Sequence, residues 1–165
     1  MRYLVGLGAN LGDRVSAMRK AVEALSALGT IGRRSRIYSS APMGGPPQPP
    51  YLNAAVELHS DLEPSLLLAA TQDIERALGR DRSAELRWGP RPIDLDLLLA
   101  GARGELVVSL PGLTLPHPRL HERAFALAGV VEIDPDLVHP LLERPLSAVL
   151  REHASDLCAP TGEHL

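Results

Sequence analysis

Cysteine, aromatic rings, net charge and long apolar runs are all scarce in this chain, and each scarcity removes a class of protein. The one cysteine, Cys158, cannot form an internal disulfide or supply a cysteine metal cluster, and reads as a bystander thiol. A formal net charge of -3 gives none of the broad basic surface that non-specific nucleic-acid binding needs. No run approaches the roughly 18 apolar residues of a membrane span. The opening Met1-Arg2-Tyr3-Leu4-Val5-Gly6 breaks at glycine before a signal-peptide core can form. A soluble, cytoplasmic monomer with no membrane or nucleic-acid partner is expected. Aromatic residues make up 3%, with one Trp and one Phe, so the core must be aliphatic.

What the chain does have is 45% hydrophobic residues over 165 positions, enough for one well-cored domain over 1–165, with 153–165 expected as a loosely ordered tail. Its chemistry is densest from Arg87 to Leu99. Ile93, Leu95 and Leu97 alternate with Asp94 and Asp96, a period of two that predicts a strand with both carboxylates on one face. Their Cα atoms would lie about 6.6 Å apart at strand rise. At an effective dielectric near 20, two like charges at that range repel by roughly 2 to 3 kcal/mol. A bound cation would remove that cost; so would plain solvation, if the aspartates only face water. Arg80, Arg82, Arg87 and Arg91 precede them, and the guanidinium fork matches phosphate oxygens. Hard oxygen ligands beside guanidiniums suggest Mg²⁺ with a polyphosphate.

In chain order, Tyr3 to Leu7 predicts a strand, followed by Gly6-x-Gly8-x-x-x-Gly12 and a helix marked by Val15, Met18, Val22 and Leu25, capped by Asn10 or Asp13 and closed by Gly29. The glycine spacing misses the dinucleotide fingerprint and suggests a tight turn. Arg36 to Ser40 predicts a second strand and Tyr51 to His59 a third. The loop Pro42 to Pro50 between them, with five prolines and two glycines, leaves no room for a helix, so the two strands should pair antiparallel. Pro64 opens a second helix with a Leu67, Ala70, Ile74, Leu78 stripe, and Gly79 ends it. Gln72 and Glu75 fall off that stripe, either as a solvated face or as readers of a nucleotide's polar edges. Beyond the aspartate strand, Gly101 to Gly104 turns into Glu105 to Ser109 as a hairpin. Further helices follow Glu122 and Pro145. The order β-α-β-β-α-β predicts an α+β, ferredoxin-like antiparallel sheet with helices on one face and the other free for loops and ligand. Trp88 and Phe125 each either anchor a loop or stack on a planar ligand.

Four ordered stretches then carry a resemblance: Gly8-Ala-Asn-Leu-Gly12, Pro50-Tyr-Leu-Asn-Ala-Ala55, Arg87-Trp-Gly-Pro-Arg-Pro-Ile-Asp-Leu-Asp96 and Leu115-Pro-His-Pro-Arg-Leu-His-Glu-Arg-Ala124. Together they resemble the 6-hydroxymethyl-7,8-dihydropterin pyrophosphokinases, folate-pathway enzymes that move a diphosphate from ATP to a pterin alcohol. The resemblance implies that Asp94 and Asp96 hold two Mg²⁺ ions on the ATP phosphates and that Arg80 and Arg91 stabilise charge during transfer. It places Arg82, His117 and Arg123 on phosphates or ribose, and Gln72, Glu75, Leu97 and Thr114 around the nucleoside. Ser40, Ala41, Met43, Tyr51 and Asn53 would form the pterin pocket, its ring between Trp88 and Phe125. Other classes remain: a ferredoxin-like module that binds a nucleotide without turnover, or a D-x-D glycosyltransferase, for which the chain is short. Asp96→Asn is expected to abolish most AMP release from ATP while leaving the circular dichroism spectrum unchanged; a fully active variant would sink the metal assignment.

Overall fold

The computed structural model describes residues 1–42, 44–83, 89–153 and 160–165. Its elements run β1 (Arg2–Ala9), α1 (Arg14–Ser26), β2 (Thr30–Arg34), β3 (Tyr38–Ser40), β4 (Tyr51–His59), α2 (Pro64–Ala77), β5 (Asp94–Ala100), β6 (Val108–Leu110), β7 (Leu113–Leu115), α3 (Ala124–Ile133), β8 (Val138–His139), β9 (Arg144–Pro145) and α4 (Leu146–Glu152). The main sheet has the order β2-β4-β1-β5, with β3 also on β4, and every pair in it is antiparallel. That is the expected ferredoxin-like arrangement.

Local chemistry accounts for the elements. At the start of α1 the Asp13 carboxylate accepts from the Ser16 amide, and Met18, Ala21, Val22 and Leu25 turn one stripe inward. α2 starts on Pro64 and buries Leu67. Between these helices and the sheet lies an aliphatic core that includes Val5, Leu7, Met18, Leu25, Val56, Leu58, Leu67, Leu95 and Leu97. Burying one such side chain fully contributes about 2 kcal/mol. Among the described residues, no helix is long and apolar enough to cross a membrane.

Several expectations need correction. The sheet's second face is not free, because α3 packs across β4 and forms a second core from Leu4, Leu98, Leu99, Leu127, Val130 and Ile133. α3 is apolar nearly all round because the sheet covers one side and α4 another. Gly129 permits the close approach: a Cβ there would lie 2.9 Å from the Ala55 Cβ and 3.2 Å from the Ser35 hydroxyl. The strand expected at Arg36 to Ser40 is shorter, β3 at Tyr38–Ser40, and an unexpected strand, β2 at Thr30–Arg34, precedes it; both pair with β4, β2 with a register shift between Ile31 and Arg34. The hairpin is β6–β7, turned at Gly112, and not a continuation from β5. α1 ends at Ser26, with Ala27 as its C-cap, before Gly29. Asn10 is no cap but points across to two other loops. In the tail, residues 160–165 are docked: the Thr161 amide donates to the Ile37 carbonyl at 2.9 Å, and Leu165 packs on the first core. Met43, residues 84–88 with Arg87 and Trp88, and Cys158 lie outside the described residues.

One ion cluster ties β1, β2 and β4. Glu57 accepts from the Arg2 Nε at 2.7 Å and from the Arg33 amide at 3.1 Å. Burial opposes its charge, but the Arg33 amide and the Arg2 guanidinium outweigh burial and hold the carboxyl at about 2, against an ordinary 4.5. A carboxylate with a depressed folded pKa stabilises the fold above its ordinary pKa, and that contribution fades as pH falls from about 4.5 to about 2. Glu57→Gln is expected to lose about 3 kcal/mol in urea unfolding at pH 7. The gap to wild type should shrink below pH 4; an equal gap at pH 7 and pH 3 would refute the ionic account.

Candidate active site

Alternation along β5 sends Leu95 and Leu97 into the helix-side core and leaves Asp94 and Asp96 half-buried on the opposite face. Register then places Asp94 opposite Gly8 and Asp96 opposite Gly6, while β4 sets Asn53 and Ala55 on the other side of the same two glycines. Gly6 and Gly8 are therefore strand residues flooring a trough, not the tight turn that their spacing suggests. A Cβ at Gly8 would stand 3.5 Å from the Asn53 side-chain oxygen and 3.8 Å from the Asp94 Cβ, inside the trough. The resulting cavity is open to solvent, with about 760 Å³ of space when that open mouth is included. Ser40, Ala41, Tyr51 and Asn53 line one wall, Phe125 of α3 lines another, and Arg91, Asp94, Asp96 and Arg123 line the charged end.

The charged end is anchored from beneath. Glu75 is fully buried on α2. One of its carboxylate oxygens accepts from Arg80 Nη1 at 2.7 Å and from the Leu95 amide at 2.7 Å; the other accepts from Arg82 Nη2 at 2.6 Å. Burial pushes its carboxyl above the ordinary range, against the Leu95 amide, Arg82 and Arg80, which favour the ionised form that all three donors require. Arg80, 5% exposed, also donates to Asp94 and to the Ile93 carbonyl. Arg91 reaches the second Asp94 oxygen at 3.2 Å. Burial alone would raise the Asp94 carboxyl, but the Arg80 and Arg91 guanidiniums hold it below the ordinary range, so it is ionised. Arg123 donates to Asp96 Oδ2 at 2.7 Å. His117 Nδ1 accepts from the Arg119 amide, leaving Nε2 to carry the proton 3.8 Å from the same Asp96 oxygen. Burial pushes His117 below its ordinary value despite the pull of Asp96, so the ring is neutral at pH 7.

The cavity thus gathers Ser40, Ala41, Tyr51, Asn53, Arg91, Asp94, Asp96, Arg123 and Phe125. Arg80, Arg82 and His117 stand in the charge network behind it. Glu75 is no solvated face: its oxygens are taken up by protein donors, which makes it a support for the arginines. Leu97 belongs to the helix-side core, on the face away from the aspartates. Gln72, half-buried on α2, and Thr114, exposed on β7, lie outside the cavity lining. Met43 and Trp88 fall outside the described residues. Sequence reasoning missed Gly6 and Gly8 as a floor, although glycines spaced by two in an apolar strand are a signal of close approach. Glu75→Gln keeps the shape but leaves the buried Arg80 guanidinium short of charge. It is expected to lose about 3 kcal/mol in chemical unfolding and to slow turnover together with it; wild-type stability would contradict the anchoring role.

Comparisons with known proteins give the family and the fold. Residues 4–135 match the family model described as 7,8-dihydro-6-hydroxymethylpterin-pyrophosphokinase. The 2-amino-4-hydroxy-6-hydroxymethyldihydropteridine pyrophosphokinase of Methylorubrum extorquens is 46% identical over 140 residues, covering 83% of this chain and 85% of that protein. Its counterpart in Bacillus subtilis is 44% identical over 131 residues, covering 78% of this chain and 75% of that protein. Among solved structures, wild-type Plasmodium falciparum HPPK-DHPS matches with a TM-score of 0.70 at 11% identity. The match covers 93% of this chain and 45% of that longer one, and supports the fold. The chain belongs to the 7,8-dihydro-6-hydroxymethylpterin-pyrophosphokinase family, the enzymes that transfer pyrophosphate from ATP to hydroxymethyldihydropterin in folate synthesis.

Proposed function

We propose that this chain performs the transfer with Mg²⁺ at Asp94 and Asp96, the pterin in the cavity and the ATP phosphates over the charged end. The observation that carries this reading is the pair of aspartates on one strand face among Arg80, Arg91 and Arg123, where the buried Nε of Arg91 and of Arg123 has no hydrogen-bond partner among the described residues. Orphaned guanidinium donors beside carboxylates fit an anion that arrives with its own cation. The donor set fits the metal too, since Mg²⁺ is usually held by one or two carboxylates with phosphates and water completing its shell. Two ions are expected. Bound Mg²⁺ would supply neutralisation of the phosphate charge at Asp94 and Asp96.

The chain's own groups then have separable tasks. Asn53 donates to the Ser40 hydroxyl at 2.8 Å, and its carboxamide oxygen, unengaged among the described residues, accepts from the N–H groups of the pterin. Tyr51, tied to the Gly89 carbonyl at 3.1 Å, and Phe125 bound the ring. The pterin hydroxymethyl oxygen attacks the β-phosphorus in line and gives up its proton to a phosphate oxygen or to water, the bond from the β-phosphorus to the α-phosphate oxygen breaks, and AMP leaves. Arg80, Arg91 and Arg123 stabilise the charge spread over the transferring oxygens, with Arg82 and neutral His117 donating further out. Asp94, held below the ordinary carboxylate range, is too weak a base to be matched to proton abstraction and suits ligation. Gln72 and Thr114, beside the edge strand β5, hold the nucleoside.

ATP, 6-hydroxymethyl-7,8-dihydropterin and Mg²⁺ should yield AMP and the pterin diphosphate by mass spectrometry, and omission of the pterin or chelation of the metal should stop AMP release. Tight binding of both ligands without product would instead favour a non-catalytic nucleotide-binding module.

A further inference from the structure

We infer that Asn10 is a positioning residue that couples the acceptor side of the cavity to its charged end; the inference rests on the proposed function for the identity of the two substrates. Asn10 is 1% exposed, in the turn after β1. All three of its side-chain bonds leave its own segment. Nδ2 donates to the Gln48 side-chain oxygen at 2.8 Å and to the Pro49 carbonyl at 3.2 Å, while Oδ1 accepts from the Arg91 amide at 2.8 Å. Its backbone amide donates back to the Arg91 carbonyl at 3.1 Å. Asn10 and Arg91 are therefore joined twice, a pairing that fixes the Arg91 backbone in position and orientation.

The two segments that meet on Asn10 are opposite walls of one cavity. Ser40 and Ala41, with Pro42 and Gly44 of the proline-rich loop, line the acceptor side, and Gln48 folds back on that same loop by donating to the Gly44 carbonyl at 3.1 Å. Arg91 carries the guanidinium that meets Asp94. A second strut, Tyr51 to the Gly89 carbonyl, and a third, Arg14 to the Pro50 carbonyl at 2.9 Å, lie beside the first. Asn10 has no side chain in the cavity lining, yet it bonds on one side to the loop that carries Pro42 and Gly44 and on the other to Arg91 of the lining. It uses both Nδ2 hydrogens on one wall and its oxygen on the other, so no residue that only donates or only accepts can replace it. In-line transfer needs the acceptor oxygen and the β-phosphorus at a set separation, and small misplacement slows such steps steeply. By this geometry, ordering of the proline-rich loop around the pterin is transmitted through Asn10 to Arg91 and the phosphates, and the reverse.

Calorimetric titration of the pterin with and without a non-hydrolysable ATP analogue and Mg²⁺ measures that coupling, which is reciprocal by linkage. In wild type the analogue should tighten pterin binding. In Asn10→Ala, and in Gln48→Leu, which removes one of the two loop-side partners of Asn10 together with the Gln48 bond to the Gly44 carbonyl, that tightening should fall towards one. Affinity for the analogue alone should stay within about twofold, and kcat should drop roughly tenfold, with a much smaller change in the KM for ATP. Asn10→Ala combined with Gln48→Leu should cost little more than Asn10→Ala alone. Retained coupling and kcat in folded Asn10→Ala, or in Gln48→Leu should the former fail to fold, overturns the inference, as does wild type in which the analogue leaves pterin affinity unchanged. Loss of thermal stability with coupling intact assigns Asn10 a structural role only and equally overturns it. Product formation by wild type is scored separately: its absence removes the pyrophosphokinase reading, whereas an indifferent variant of an active enzyme removes only the role of Asn10.

Discussion

A carboxylate with no solvent contact, Glu75, organises the charged end of this site, and most of what surrounds it depends on that placement. An ionised group so deep is tolerable only because two guanidiniums and a strand amide close on it. In exchange, Arg80 is fixed between α2 and β5, with its second contact on Asp94. The helix, the arginine segment and the aspartate strand are thereby joined through one residue. Loss of Glu75 would leave the buried Arg80 with one carboxylate partner fewer, and its hold on Asp94 without an anchor from α2.

The sheet supplies the complementary constraint. Antiparallel register between β1 and both of its neighbours lines up two glycines with two aspartates on one side and with Asn53 and Ala55 on the other. Missing side chains on the central strand become a trough; the period of two sends the intervening Val5 and Leu7 into the core. α3 then closes one end, seated on β4 at Gly129, and presents Arg123 and Phe125 from its N-terminal end. Binding surface and the first hydrophobic core are therefore opposite faces of the same strands, and a register slip of one residue would exchange them.

Much of this was legible beforehand. Periodicity located β4 at its observed bounds and put Asp94 and Asp96 on a common face. Strand and helix order led to the ferredoxin-like sheet. Other parts were not. Off the α2 stripe, Glu75 looks like a solvated residue, because helical spacing describes one face of burial and cannot show that the arginine segment folds back over another. Covering of the sheet's second face by α3 was hidden for a similar reason: uniform apolarity says that a helix is buried but not against what. The unexpected strand β2 ahead of β3, and the docking of residues 160–165 on β3, follow from pairing between segments far apart in the chain.

The sequence by itself determined the local elements, the shared face of the two aspartates, and, through four ordered stretches, the family to which the chain belongs. Those properties live in short-range periodicity and in residue types that carry their own chemistry. Tertiary structure alone decided which charges are paired, which carboxylate is buried, and that Asn10 bonds to both Gln48 and Arg91. The reason is physical: a hydrogen bond or an ion pair needs its partner within about 3 to 4 Å, and partners separated by tens of residues reach that distance only when the sheet, its register and its covering helices have been assembled.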